Sequence, residues 1–154
     1  MMTTHSLIVV CHLLAMSLWL GGLAFQWAVL APVAKQLEGD RFPGILFVNA
    51  AMGFRWVQWG ALALIALTGL LQIMGLGGMK ALPVPVHIKI TLALVMVLLT
   101  LYNTLSLTPK LAQALTANDE ALTRKTYGLL SAISWVVLLL GLGILALLGA
   151  SGLV

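Results

Sequence analysis

Four stretches of this chain carry no formally charged side chain over a membrane-spanning length: residues 5–34, 56–79, 90–109 and 126–154. Crossing a bilayer takes about 20 predominantly apolar residues. A backbone in hydrocarbon must satisfy its own polar groups, so such stretches become helices or closed barrels. Runs this long and continuous read as helices, and we number them spans I to IV. A water-soluble domain carries roughly 25% charged residues; this one has 8% in 154 residues, with 62% hydrophobic. The expected fold is an all-α integral membrane protein, one domain covering 1–154, a four-helix transmembrane bundle with approximate spans 5–33, 54–76, 84–107 and 126–150.

Breakers and polar residues set the expected boundaries. Span I should start near Thr4 and end at Pro32 and the KQLEGDR stretch. Its start lacks the basic region of a signal peptide, so it reads as a retained helix. Pro43 suits the first turn of a helix, and FPGILFVNAAMGFRW leads into span II. Gly75, Gly77 and Gly78 end that span. Span III should begin at Pro83 or Pro85 and stop at about Leu107, before Thr108-Pro109. KLAQALTANDEALTRK reads as a short amphipathic helix with a cap near Asn118.

Charge sets the orientation. Lys35, Arg41, Arg55, Lys110, Arg124 and Lys125 flank the two long loops, against Lys80 and Lys89 on the other side. Cytoplasmic loops carry the Lys/Arg excess. Both termini are therefore expected in the periplasm and the chain in a bacterial inner membrane, with the lipid bilayer as its first partner. Trp27, Trp56 and Trp59 should then lie in the cytoplasmic aromatic belt. The basic pI follows from these loop charges and does not argue for nucleic acid. The lone Cys11 excludes an internal disulfide and reads as an apolar filler. Gly21, Gly22, Gly60, Gly69, Gly141 and Gly143 are candidates for close helix approach. Span IV, free of ionisable side chains after Tyr127, reads as structural or as a homo-oligomer surface.

Ionisable residues inside a span are costly and mark function. His5 lies at the outer edge of span I, and His12 about 10 Å deeper at 1.5 Å per residue. His87 opens span III from the same side. His5, His12, Met16 and Trp19 share one stripe of span I, and His87 shares a stripe with Thr91, Leu94, Leu98 and Tyr102. Lys89 lies about 200° from His87. Of the two, His87 is expected to face the bundle centre and Lys89 to snorkel outward.

Two imidazoles on facing helices suit a metal ion or the axial positions of a haem. Haem b between His12 and His87, with Lys80 or Lys89 against its propionates, is one reading. It would make the chain a redox protein exchanging electrons with a quinone or a periplasmic partner. Copper held by His12, Met16, His87 and His5 is a second reading, since thioethers and imidazoles favour that metal. A cofactor-free subunit whose histidines bond neighbouring helices is a third. No Asp or Glu lies within a span, which argues against a transporter driven through buried carboxylates.

HLLAMSLWLGGL resembles the opening helix of the copper resistance protein D (CopD-type) family: His12, Trp19 seven positions on, then Gly21-Gly22. HIKITLALVMVLLTLYN is similar to that family's Lys-to-Asn run through Lys89 and Asn103. HemJ-type protoporphyrinogen oxidases share the His-to-Trp spacing, a His-x-Lys at His87 and Lys89, and a stretch like MGFR at Met52–Arg55. That second resemblance implies haem b on His12 and Lys89, and porphyrinogen oxidation as an enzymatic activity. The likeness covers spans I to III; SAISWVVLLLGLG in span IV lacks the oxidase's Asn-Glu and Pro-Thr pattern.

Overall fold

A computed structural model describes residues 4–39 and 43–150. Its regular elements are helical: α1 (Thr4–Phe25), α2 (Ala31–Glu38), α3 (Ile45–Gly75), α4 (Val84–Tyr102), α5 (Thr108–Thr116) and α6 (Glu120–Ala150). Wide π turns, Gln26–Leu30 and Asn103–Leu107, join α1 to α2 and α4 to α5. Four continuous helices result that are long and apolar enough to cross a membrane: Thr4–Glu38, Ile45–Gly75, Val84–Thr116 and Glu120–Ala146. They are spans I to IV, running up and down between a termini side and a long-loop side.

The helices outrun the expected spans on the long-loop side, and the prolines explain how. A proline inside an α-helix has no N–H to give and its ring strikes the carbonyl four residues back. That should end spans I and III at Pro32 and Pro109. The chain instead widens one turn before each proline. The amide of Ala31 bonds Gln26 O, and that of Thr108 bonds Asn103 O, each five residues back. Each proline then falls in the first turn of a new α segment, where a missing N–H costs little. Gln26 and Asn103 thus occupy the same position, six residues before a proline and first in a wide turn.

Span I packs mainly on span II, and span III on span IV, giving two hairpins; span I also meets span IV. Close approach relies on two of the expected glycines, Gly22 and Gly141. Gly22 lies under the ring of Phe54, Gly69 faces the His12 ring, and Gly141 takes Leu20 and Met96. Gly21, Gly60 and Gly143 face open space. Phe47, Met96, Leu111 and Val137 are fully buried between the spans. Leu14, Leu67, Leu98 and Leu139 lie exposed on the outside, as a surface that meets lipid requires.

The long-loop side is tied by side chains. The Glu38 carboxylate accepts from Gly44 N and Leu46 N, both at 2.8 Å, placing an anion at the start of α3 where the helix dipole favours it. Trp27, Phe47 and Tyr127 form a three-ring cluster with centroids 5.5–5.6 Å apart. Trp27 is therefore a core residue rather than a belt residue, whereas Trp56 is exposed as expected. The cap of α6 falls one residue later than Asn118. Asn118 takes the left-handed conformation (φ 53°), and Asp119 Oδ1 accepts from Leu122 N at 2.9 Å. On the termini side, Gly77 and Gly78 turn the chain with φ of 91° and 85°.

Candidate functional site

His12 is seated between spans I and II on the termini side. Its Nδ1 lies 2.8 Å from Thr68 Oγ1. The Thr68 hydroxyl has one proton, and it is donated to Leu64 O at 2.6 Å. Toward His12 the hydroxyl can therefore only accept, so Nδ1 carries the ring proton. In a neutral imidazole the lone pair then resides on Nε2. The ring's Cε1 edge passes over Gly69, 3.5 Å from where a β-carbon would stand. A β-carbon there would sit in ordinary van der Waals contact with the ring. Met16, one turn along the same stripe, packs against the bundle core, and Trp19 is fully buried. His5 is exposed at the span's end, and Lys80 is exposed in the turn between spans II and III.

His87 does not face the bundle centre. Its stripe, Leu94, Leu98 and Tyr102, is exposed, and His87 Nδ1 bonds Pro83 O within its own first turn at 3.2 Å. The inward stripe of α4 is the one that begins with Lys89 and continues through Met96, Thr100 and Asn103, the last three buried. The expected assignment of faces is thus reversed. A helix apolar all round offers no contrast between an inner and an outer face, so spacing alone groups residues without pointing them. Spans I and III are also not principal packing partners; His12 meets Thr68 on span II instead of His87. Among the described residues, no three His, Cys, Asp or Glu side chains gather as a metal-holding group.

A second polar constellation lies on the long-loop half, and the reading of the histidines missed it. A small cavity of about 20 Å³ is lined by Gln26 from span I, Arg55 and Gln58 from span II, Thr100, Asn103, Thr104 and Thr108 from span III, and Ser134 from span IV. Apart from Arg55, these polar residues are all buried. Asn103 Nδ2 donates to Ser134 Oγ at 3.1 Å, joining spans III and IV. The Arg55 guanidinium carbon is 5.3 Å from the centroid of the exposed Trp56 ring, a cation–π distance. One sequence signal could have found this layer: the repeated amide-to-proline spacing of Gln26–Pro32 and Asn103–Pro109.

The fold defines a four-span helical membrane protein with one histidine clasped between the first two spans and a polar layer between its two hairpins. A family model described as Copper resistance protein D matches residues 48–149. The chain belongs to the copper resistance protein D family. The match takes in span IV as well as most of span II and span III, and leaves span I, with His5, His12 and Met16, outside it. No curated protein and no solved structure matches the chain.

Proposed function

We propose that this protein handles copper in the membrane and takes the ion on at His12. One observation carries the reading: Thr68 takes up the His12 Nδ1 proton, which leaves the lone pair of the neutral ring on Nε2. Metal-binding histidines are commonly held this way, with the second ring nitrogen donating to a fixed acceptor. Met16 adds a soft sulfur one turn away, suited to Cu(I), and exposed His5 lies on the approach from the termini side. Membership of a copper resistance family supports copper as the cargo. The Lys/Arg bias supports a bacterial inner membrane with this end in the periplasm.

A second reading keeps His12 and changes the occupant. Lys89 lies on the inward stripe of α4, the position that haem b ligation by His12 and Lys89 would need. Bound haem would supply one-electron chemistry for exchange with a quinone or a periplasmic protein. Copper is preferred because the family supports it directly.

Titrating the purified protein with Cu(I) against a chromophoric chelator tests the assignment. Tight binding in the native chain that is lost in His12→Ala is the expected result. Full affinity in His12→Ala overturns it. Soret and α bands on dithionite reduction, with no copper retained, replace it by the haem reading.

A further inference from the structure

The polar layer on the long-loop half is not used by the copper reading, and its walls divide by chemistry. On spans III and IV every lining hydroxyl spends its proton within its own helix. Thr100 donates to Met96 O, Thr104 to Thr100 O, Thr108 to Asn103 O and Ser134 to Leu130 O, at 2.8–3.0 Å. Asn103 gives an amide proton to Ser134. Apart from the second Asn103 Nδ2 proton, these two spans therefore present lone pairs to the cavity. One belongs to Asn103 Oδ1, which is buried without a hydrogen-bond partner in a residue only 7% exposed. An orphaned acceptor of this kind has given up its hydrogen bond to water with nothing in exchange. Spans I and II bring Gln26, Gln58 and Arg55, whose amide and guanidinium groups supply N–H donors.

Size and charge narrow the occupant. A cavity needs about 10–15 Å³ to admit a water-sized molecule, and this one has about 20 Å³. A quinone ring is far too large. A soft metal ion would find no nitrogen or sulfur ligand among the lining residues, and Arg55 on the wall disfavours any cation. We propose that the cavity is a binding site for one small neutral molecule that both donates and accepts hydrogen bonds, a water, anchored on Asn103 Oδ1 and bridging the I–II hairpin to the III–IV hairpin. The two wide turns build the site, because each brings its first residue, Gln26 or Asn103, to the cavity wall. Irregular backbone at membrane depth is tolerated where it lines such a cavity.

Water-edited NMR on the full chain in lipid nanodiscs, with the Asn103 side-chain amide assigned, tests the site. Magnetisation from water should reach the Asn103 Nδ2 protons in the native chain. Ala51 lines the same cavity, so Ala51→Leu should fill it and abolish that transfer. Ala51→Val serves in its place should the larger variant fail to fold. Absence of transfer in the native chain overturns the proposal, as does transfer that survives in a folded cavity-filling variant. Copper binding at His12 does not enter either outcome.

Discussion

Thr68 Oγ1 accepts the Nδ1 proton of His12 across spans I and II at 2.8 Å, because its own proton is already given to Leu64 O. The imidazole is thereby held in one tautomer at a depth where water is scarce. The hydroxyl of span II thus decides which ring nitrogen of span I is open to a ligand.

Thr68→Val removes that acceptor while keeping the side-chain shape. Copper affinity should fall roughly 10–100-fold, the usual cost of losing a group that orients a metal-binding histidine. Thr68→Ser, which keeps the hydroxyl, should retain most of it. A chelator-competition titration of the three proteins checks both. Unchanged affinity in Thr68→Val would remove Thr68 from the site.

Gly141 is where spans I, III and IV touch. A β-carbon there would lie 2.8 Å from Leu20 Cδ2 and 3.2 Å from Met96 Cε. Gly141→Leu should destabilise the bundle by about 1–3 kcal/mol through overpacking. Gly143→Leu, two residues on with nothing within 4 Å of a β-carbon, should be close to neutral. Thermal unfolding in detergent, followed by circular dichroism, distinguishes them.

Trp27 closes the three-ring cluster with Phe47 and Tyr127 on the long-loop side. Trp27→Ala should cost about 3–5 kcal/mol, as for other buried aromatic truncations. Trp56→Ala, at an exposed ring, should cost much less. A belt role for Trp27 would predict similar small losses for both, so the same melting experiment separates the two descriptions.

Glu38 joins the end of α2 to the start of α3 through two backbone N–H groups. Glu38→Ala should lower stability by about 1–3 kcal/mol, since Gly44 N is partly buried and loses its acceptor. Glu38→Gln retains an acceptor oxygen and should lose less. Thermal unfolding of the three proteins checks the order.

Much of this architecture is legible before any coordinates. The uncharged runs announce four helices, the glycines at 75, 77 and 78 announce a turn, and His12 stands out as an imidazole in hydrocarbon. The prolines mislead, because their meaning depends on whether the preceding turn can widen. The faces of span III mislead too. Helical phase correctly separates His87 from Lys89, but it does not say which of the two turns inward. The polar layer is scattered over positions 26 to 134 and converges only when the two hairpins pack.

The sequence by itself determined the helical membrane fold. Long apolar segments in a bilayer can satisfy their backbone only internally, and that demand is set by composition and length. Tertiary structure decided what each helix shows to its neighbours. In spans that are apolar on every side, direction comes from shape: Gly22 under Phe54, Gly141 against Leu20, and the reach from His12 to Thr68. Close packing at those few points sets the rotation of the helices, and the rotation chooses which polar atoms meet.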